Sequence, residues 1–523
     1  MTWDKSYDVV VIGSGGAALF GALVAATRGL RTCLVEKTEY FGGTSAYSGG
    51  SIWMPGNHVL ARDGVNDSVQ DGLTYFRSVV GDRTAESVQR AFIGTGPEVT
   101  DFLENVAGIP LGFRAFPDYF AAPGRSANGR SIFADDIAAT ELGARADDIR
   151  PVVAADQFGH EVDRSVFAGG QALIARLVKA LDENDNATLM LRTRALSLIT
   201  DAGVVAGVVI DGPEGEQRLG ARAGVLVAAG GFEADPALRR EWQQMPTADW
   251  TSSSPDTGTG DAVRMLAEAG AELDLLDQCW WAPATLFPNG RAVFTLGIRS
   301  GIIIDDSAQR FANELLPYDQ MGRAMRAVMS QDKESAFWFI FDDSEGGAMP
   351  AIAAPMPDRN AMVKAGLWFT ATDVEELAEQ IGVDGQALAA TVDRFNGFAE
   401  AGHDDDFDRG ADPYGRFFIG ATSTAEALRP IRTTALNAVR LVPGDLGTKG
   451  GAVIDPDGAV IGVSGHVIPG LFAAGNSSAS VSGTAYPGPG TPLGSGMVMA
   501  YRAVGAMLTH LAADGQSAGA AGS

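Results

Sequence analysis

Three glycine-rich stretches carry the residues with the clearest chemical purpose. Gly13-Ser14-Gly15-Gly16-Ala17-Ala18 has the spacing G-x-G-x-x-A. In that pattern the first glycine makes a tight turn and the second lets backbone approach a pyrophosphate. The small last residue lets a helix pack closely on a strand. The helix N-terminus then faces the negative charge. Glu36 stands about twenty residues further on, where an acid can take a ribose hydroxyl. A second stretch, Phe41-Gly42-Gly43-Thr44-Ser45-Ala46-Tyr47-Ser48-Gly49-Gly50, follows directly. A nicotinamide dinucleotide has no evident need of it, whereas an extended FAD needs backbone along its ribityl chain and flavin. The third, Gly470-Leu471-Phe472-Ala473-Ala474-Gly475-Asn476, reads as a short strand and a tight turn. Three separated glycine sites on one extended ligand predict FAD.

These residues need elements to hold them. Tyr7 to Ile12 is rich in β-branched residues and bounded by glycine, the pattern of a buried strand. An alanine-rich helix follows to Arg28 and stops at Gly29, and a second strand runs from Arg31 to Glu36. Val225 to Gly231 reads as the return from an inserted β-meander. Nucleotide motifs at both ends predict one FAD domain folded from both termini. The region from about Trp281 to Leu446 has its own helices, Asp373 to Gln380 and Asp384 to Phe398. The expected fold class is α/β: a Rossmann-like, glutathione-reductase-like FAD-binding domain with an inserted α+β catalytic domain. The expected boundaries are 1–280 and 447–512 for the FAD domain, 281–446 for the insert, and 513–523 for a flexible tail rich in Ala, Gly and Ser.

Composition narrows the function classes. The chain of 523 residues has 39 basic and 65 acidic side chains, a net charge of −26. Such a surface repels phosphate backbones, so no nucleic-acid partner is expected. Cys33 and Cys279 are far apart and form no metal or redox motif; buried free thiols in a reducing compartment are expected. The chain enters its first strand with no signal-peptide core and has no apolar run long enough to span a bilayer, so a cytoplasmic location is expected. The patch His403-Asp404-Asp405-Asp406-Phe407-Asp408 lacks the spacing of an EF-hand loop. It is expected to be a solvated acidic loop, and no metal site is expected.

Several longer stretches resemble one family. They are Tyr40 to Gly50, Val80-Gly81-Asp82-Arg83-Thr84, Pro117-Asp118-Tyr119-Phe120, Asp277-Gln278-Cys279-Trp280-Trp281, Pro317-Tyr318-Asp319, Asp445-Leu446-Gly447-Thr448-Lys449-Gly450-Gly451 and Ser482-Gly483-Thr484-Ala485-Tyr486-Pro487-Gly488. Over nearly its whole length the chain resembles the bacterial 3-ketosteroid Δ1-dehydrogenases, flavoproteins of the fumarate reductase and succinate dehydrogenase superfamily. The resemblance implies removal of hydrogens from carbons 1 and 2 of ring A, with hydride passing to the flavin. It implies that Tyr318 is the base on the carbon-2 proton, that Tyr119 assists it, and that the Tyr486 hydroxyl and the Gly490 amide hydrogen-bond the 3-keto oxygen. Phe116 and Phe294 are expected to line the steroid pocket. FAD is expected on Gly13, Ser14, Gly15, Gly16, Ala17, Glu36, Lys37, Gly43, Thr44, Ser45, Gly49, Gly50, Ala195, Gly230, Gly475, Asn476, Pro492 and Leu493. The sequence does not identify the electron acceptor; a quinone or, at a low rate, oxygen is open, and a quinone-type acceptor is expected. Aligned with the succinate dehydrogenase flavoproteins on the closing Gly-Gly pair, their flavin-linked histidine falls at Gly43, and the nearest histidine is His58. The FAD is therefore expected to be non-covalent.

The residue types suit this chemistry. A proton on carbon beside a ketone is weakly acidic, and donors on the carbonyl stabilise the developing enolate. A phenol and an amide provide donors without burying a permanent charge. An unperturbed phenol ionises near pKa ~10, so Tyr318 as base needs a depressed pKa or a relay, for which Tyr119 is the natural group. All three tyrosine positions are filled in a chain of nine tyrosines. Three positions depart in Tyr486-Pro487-Gly488-Pro489-Gly490-Thr491-Pro492-Leu493-Gly494, where the family has Tyr-Pro-Gly-Gly-Gly-Asn-Pro-Ile-Gly, and two of them matter beyond the conservative Leu493. Pro489 stiffens the loop and offers no N–H, and Thr491 replaces an Asn. Three rivals remain. They are a Δ4-(5α)-dehydrogenase of 3-ketosteroids, a fumarate-reductase-like enzyme, which five scattered histidines disfavour, and a flavin- or steroid-binding protein without turnover.

Overall fold

In the computed structural model residues 2–331, 335–432 and 434–520 are described. The chain divides into two compact units. One comprises Met1–Pro246, Ser253–Gln278 and Gly447–Ser523; the other comprises Thr247–Ser252 and Cys279–Leu446.

The first unit is built on the β-branched strand Lys5–Ile12, whose Val9, Val10 and Val11 are fully buried. A strand covered on both faces reads as a continuous apolar run, as in parallel sheets. It pairs in parallel with Thr32–Val35 on one side and with Gly215–Val227 on the other. Thr32–Val35 is followed by Ala187–Met190, and Gly215–Val227 by the C-terminal strand Val467–Ala473, both in parallel. The sheet is thus closed by segments from both ends of the chain. Gly215–Val227 serves twice, because its first half also pairs antiparallel with Val204–Gly212, which in turn pairs with Arg194–Asp201. The helix Gly16–Thr27 is apolar nearly all round and accordingly buried. It packs against helices Gly169–Asp182 and Thr491–Ala520.

The second unit carries a seven-stranded sheet with Leu436–Thr448 between Phe337–Asp342 and Cys279–Leu286. Two helices, Val374–Ile381 and Gly385–Ala401, pack with Ile302, Ile340, Leu377, Leu388 and Phe395 in its core. Asp373 and Asp384 precede these helices as N-caps; their side chains accept from the N–H of Glu376 (2.8 Å) and Ala387 (2.7 Å).

The acidic loop departs from expectation at one position: His403, Asp405, Asp406 and Asp408 are exposed, but Asp404 is not. Asp404 is fully buried and accepts from Arg310 (Nη2 to Oδ2 2.8 Å), while Asp406 accepts from Arg394. Arg310 also pairs with the buried Glu314, which receives Arg409 as well (2.9 Å). Isolated buried charge is prohibitive, so these cations and carboxylates are neutralised together. Sequence reading missed this because the partner of Asp404, Arg310, lies 94 residues away in the chain.

Both cysteines are buried, and neither is in a disulfide. Among the described residues no helix is long and apolar enough to cross a membrane. The expected tail, 513–523, has side chains outside the described set.

Candidate active site

Within the first unit the three glycine stretches converge. Gly13, at φ +101°, makes the turn after the first strand, and a Cβ there would stand 2.5 Å from the Ala228 carbonyl oxygen. The Gly16 N–H donates to Ser45 Oγ (3.0 Å), and Leu493 lies against Gly16 so closely that an added Cβ would come within 2.7 Å of it. Gly475 approaches Ala17 from the C-terminal turn. Ser14 joins the first two stretches: its hydroxyl donates to Glu36 (2.6 Å) and accepts from the Gly42 N–H (3.1 Å). Glu36 is buried at the end of its strand and also accepts from Thr38 N–H.

The remaining predicted cofactor residues are placed as follows. Gly43, Thr44 and Ser45 lie on the 3-10 turn Gly43–Tyr47. A Cβ on Gly43 or Gly49 would meet nothing within 4 Å, so this backbone borders open space, as an extended dinucleotide requires. Gly50 packs its backbone on Gly169. The Gly230 carbonyl accepts from Ser477 Oγ (2.9 Å), beside Asn476 on the turn Gly475–Ser477. Gly15 is the N-cap of the helix Gly16–Thr27, and Pro492 begins the last helix. Ala195 is on the meander strand Arg194–Asp201. Lys37 pairs with Asp261 (3.0 Å) and donates to Thr259. The cradle fits FAD.

The same unit places Tyr119, Phe116 and Tyr486 together. The rings of Tyr119 and Tyr486 meet edge to face with centroids 5.3 Å apart, and Phe116 is 6.1 Å from Tyr119. Their backbones are tied as well. Tyr119 N–H donates to the Pro487 carbonyl (2.9 Å), which also accepts from Tyr75 Oη (2.6 Å). Tyr75 Oη in turn accepts from Phe120 N–H (3.0 Å). Burial pushes the Tyr75 phenol up, so it keeps its proton as donor.

A buried polar wall supports this pair. Asp118 accepts from Trp53 Nε1 (2.8 Å), Ser126 N–H (2.9 Å) and Arg130. Arg130 also holds Asp67 (2.9 Å) and the Gly124 carbonyl (2.6 Å). Burial pushes the Asp118 carboxyl up to about 6, although Arg130 pulls the other way.

The departures in the Tyr486 loop have local explanations. Pro489 turns its carbonyl to two serine hydroxyls, Ser51 and Ser131, each at 2.7 Å. Thr491, fully buried, donates through its hydroxyl to the Gly488 carbonyl (2.7 Å), closing the turn from within. Gly490, at φ +92°, lies just before the helix Thr491–Ala520; a Cβ there would sit 2.4 Å from the Ser51 carbonyl oxygen.

In the second unit Tyr318 opens the helix Tyr318–Gln331 and meets Phe294 edge to face, centroids 4.8 Å apart. Tyr318 lines a cleft with Leu296, Ile298, Met321 and Phe418. Asp319, also buried, holds Arg323 (2.8 Å) one turn along the helix.

With this geometry in hand the relatives are informative. Residues 8–493 match the FAD binding domain family. The 3-oxosteroid 1-dehydrogenase of Rhodococcus opacus is 36% identical, with 96% of this chain and 98% of that protein covered. A crystal structure of the 3-ketosteroid Δ1-dehydrogenase from Sterolibacterium denitrificans, in complex with 1,4-androstadiene-3,17-dione, superposes with a TM-score of 0.89. It is 30% identical and covers 97% of this chain and 100% of that one. The chain belongs to the 3-ketosteroid Δ1-dehydrogenase family. It is an FAD-dependent oxidoreductase. A further relative, the 4-oxocyclohex-2-ene-1-carboxylate 5-dehydrogenase of Sinomonas cyclohexanicum, is 32% identical over 95% of this chain and 92% of that one.

Family resemblance pointed to Tyr119, Tyr318 and Tyr486 but not to what surrounds them. Tyr75, Trp53, Arg130, Ser51 and Ser131 carry no spacing signal, because their partners lie far along the chain. Asp118 and Lys449 stand inside family-like stretches, which is the one signal that could have singled them out.

Proposed function

We propose that this chain removes the hydrogens of carbons 1 and 2 from ring A of 3-ketosteroids. The observation that carries the reading is the joined pair of Tyr119 and Tyr486, with the Tyr486 loop running through Gly490 into a helix N-terminus. FAD, when bound, supplies the hydride acceptor. The Tyr486 hydroxyl and the Gly490 amide donate to the 3-keto oxygen and so stabilise the charge that develops as the carbon-2 proton leaves. Tyr318 takes that proton, and Tyr119 relays it. Phe116 and Phe294 present apolar edges suited to a steroid. A cytoplasmic location and a quinone-type acceptor belong to the same proposal, as does non-covalent FAD at a site whose Gly43 offers no side chain for a flavin link.

The test is anaerobic addition of 4-androstene-3,17-dione to the yellow protein. The flavin band near ~450 nm bleaches and the 1,4-diene forms; Tyr318→Phe abolishes bleaching while FAD stays bound. Bleaching by a 5α-saturated 3-ketosteroid with a 4-ene product, and none with the 4-ene substrate, would reassign the chain to Δ4 chemistry. Bleaching by 4-oxocyclohexanecarboxylate alone would move the substrate to a single ring. Silence with all three leaves a binding protein.

A further inference from the structure

Lys449 belongs to the stretch Asp445 to Gly451, whose chemistry the proposed reaction does not use. Its side chain is 1% exposed. The ammonium donates to the carbonyls of Thr484 (2.8 Å) and Ala485 (2.7 Å), the two residues immediately before Tyr486, and lies 6.0 Å from the centroid of the Tyr486 ring. Its backbone is fixed on both sides, Lys449 N–H to the Gln278 carbonyl (2.9 Å) and Ser480 N–H to the Lys449 carbonyl (2.9 Å). The lysine therefore grips the loop that carries Tyr486 immediately before that residue.

A neutral amide could hold two carbonyls as well. Burying an ammonium is far more costly than burying an amide, so its charge calls for a separate reason. The reason lies in what Tyr486 must do. A phenol that donates to a developing enolate oxygen gains partial negative charge on its own oxygen. A cation beside its ring makes it a stronger donor, and in a site shielded from water that effect is large.

We propose that Lys449 is a positioning residue for the carbonyl-binding tyrosine. It aligns the Tyr486 loop and, through its charge, strengthens the Tyr486 hydroxyl as donor to the ketone. This rests on the ketosteroid reading above. The acid–base step is unchanged: the carbon-2 proton leaves to the base, and the electron pair moves toward the carbonyl oxygen that Tyr486 holds.

The experiment uses the FAD-loaded full chain with 4-androstene-3,17-dione, comparing wild type, Lys449→Gln and Lys449→Arg, each also in a Tyr486→Phe background. The expected result is a fall in kcat of about tenfold for Lys449→Gln, with KM within about twofold and the flavin spectrum unchanged. Lys449→Arg recovers most of the loss. In the Tyr486→Phe background Lys449→Gln has little further effect, because the charge acts through the phenol. A Lys449→Gln enzyme with wild-type kcat, or an equal loss in both backgrounds, overturns the proposal. Should the Gln variant fail to hold FAD, the Arg variant decides: kcat within about threefold of wild type supports the charge, and a loss of tenfold or more overturns it. Wild type that does not turn over any ketosteroid would instead refute the function itself.

Discussion

The hydroxyl of Tyr75 is the smallest change that should separate the two tyrosine-bearing segments. It donates to the Pro487 carbonyl at 2.6 Å and accepts from the Phe120 N–H at 3.0 Å, and Tyr75 is fully buried. Tyr75→Phe keeps the ring and removes both bonds. The Pro487 carbonyl retains Tyr119 N–H at 2.9 Å, so its loss is that of one ordinary bond, about 1 kcal/mol. The Phe120 N–H loses the acceptor given by Tyr75, and an orphaned buried donor costs about 1–3 kcal/mol. The sum is about 2–4 kcal/mol, all of it where the Tyr119 backbone is joined to the Tyr486 loop. Urea unfolding of the FAD-loaded protein should move to a lower midpoint. Steroid turnover should fall by about tenfold through misalignment, with FAD still bound. A variant with wild-type midpoint and wild-type turnover would refute the reasoning. It would mean that Phe120 N–H finds another acceptor and that the Tyr119 to Pro487 bond alone holds the segments together.

Four further outcomes follow from the same structure. The folded pKa of Asp118, about 6, lies above its ordinary 3.8, so the folded chain holds a proton that the unfolded chain has lost between those values. Its contribution to stability is therefore fullest at the acid end and falls as pH rises through that window. The stability advantage of wild type over Asp118→Asn, read from urea midpoints, should shrink from the lower to the upper end of it, and a pH-independent difference would contradict this. In the second unit, burial pushes the Glu314 carboxyl up, but Arg310 and Arg409 outweigh it and hold it low. Glu314→Gln strands a buried cation and should cost about 3–5 kcal/mol in that unit's unfolding; a cost under about 1 kcal/mol would argue against a coupled cluster. Gly13→Ala combines a positive φ with a Cβ 2.5 Å from a backbone oxygen, so the variant should purify with little FAD, measured by the ratio of visible to protein absorbance. Acid precipitation of wild type should release its FAD into the supernatant, and yellow pellets would contradict non-covalent binding.

The sequence alone determined the α/β class and the FAD cradle, because each glycine stretch encodes its own local geometry. A tight turn, a close backbone approach and a β-branched strand are properties of adjacent residues, readable without partners. The family-like stretches likewise named Tyr119, Tyr318 and Tyr486, each from its own neighbours. Tertiary structure decided how those residues are braced. The Tyr75 bond to Pro487 spans 412 residues, the Ser51 and Ser131 bonds to Pro489 span 438 and 358, and Trp53 reaches Asp118 across 65. No periodicity links such positions; the fold brings them together and burial then forces each polar group to find a partner. The same force corrected the acidic loop. Consecutive aspartates read as solvated charge, and Asp405, Asp406 and Asp408 are exposed, yet Asp404 is drawn inside because Arg310, 94 residues away in the chain, needs a carboxylate to balance it.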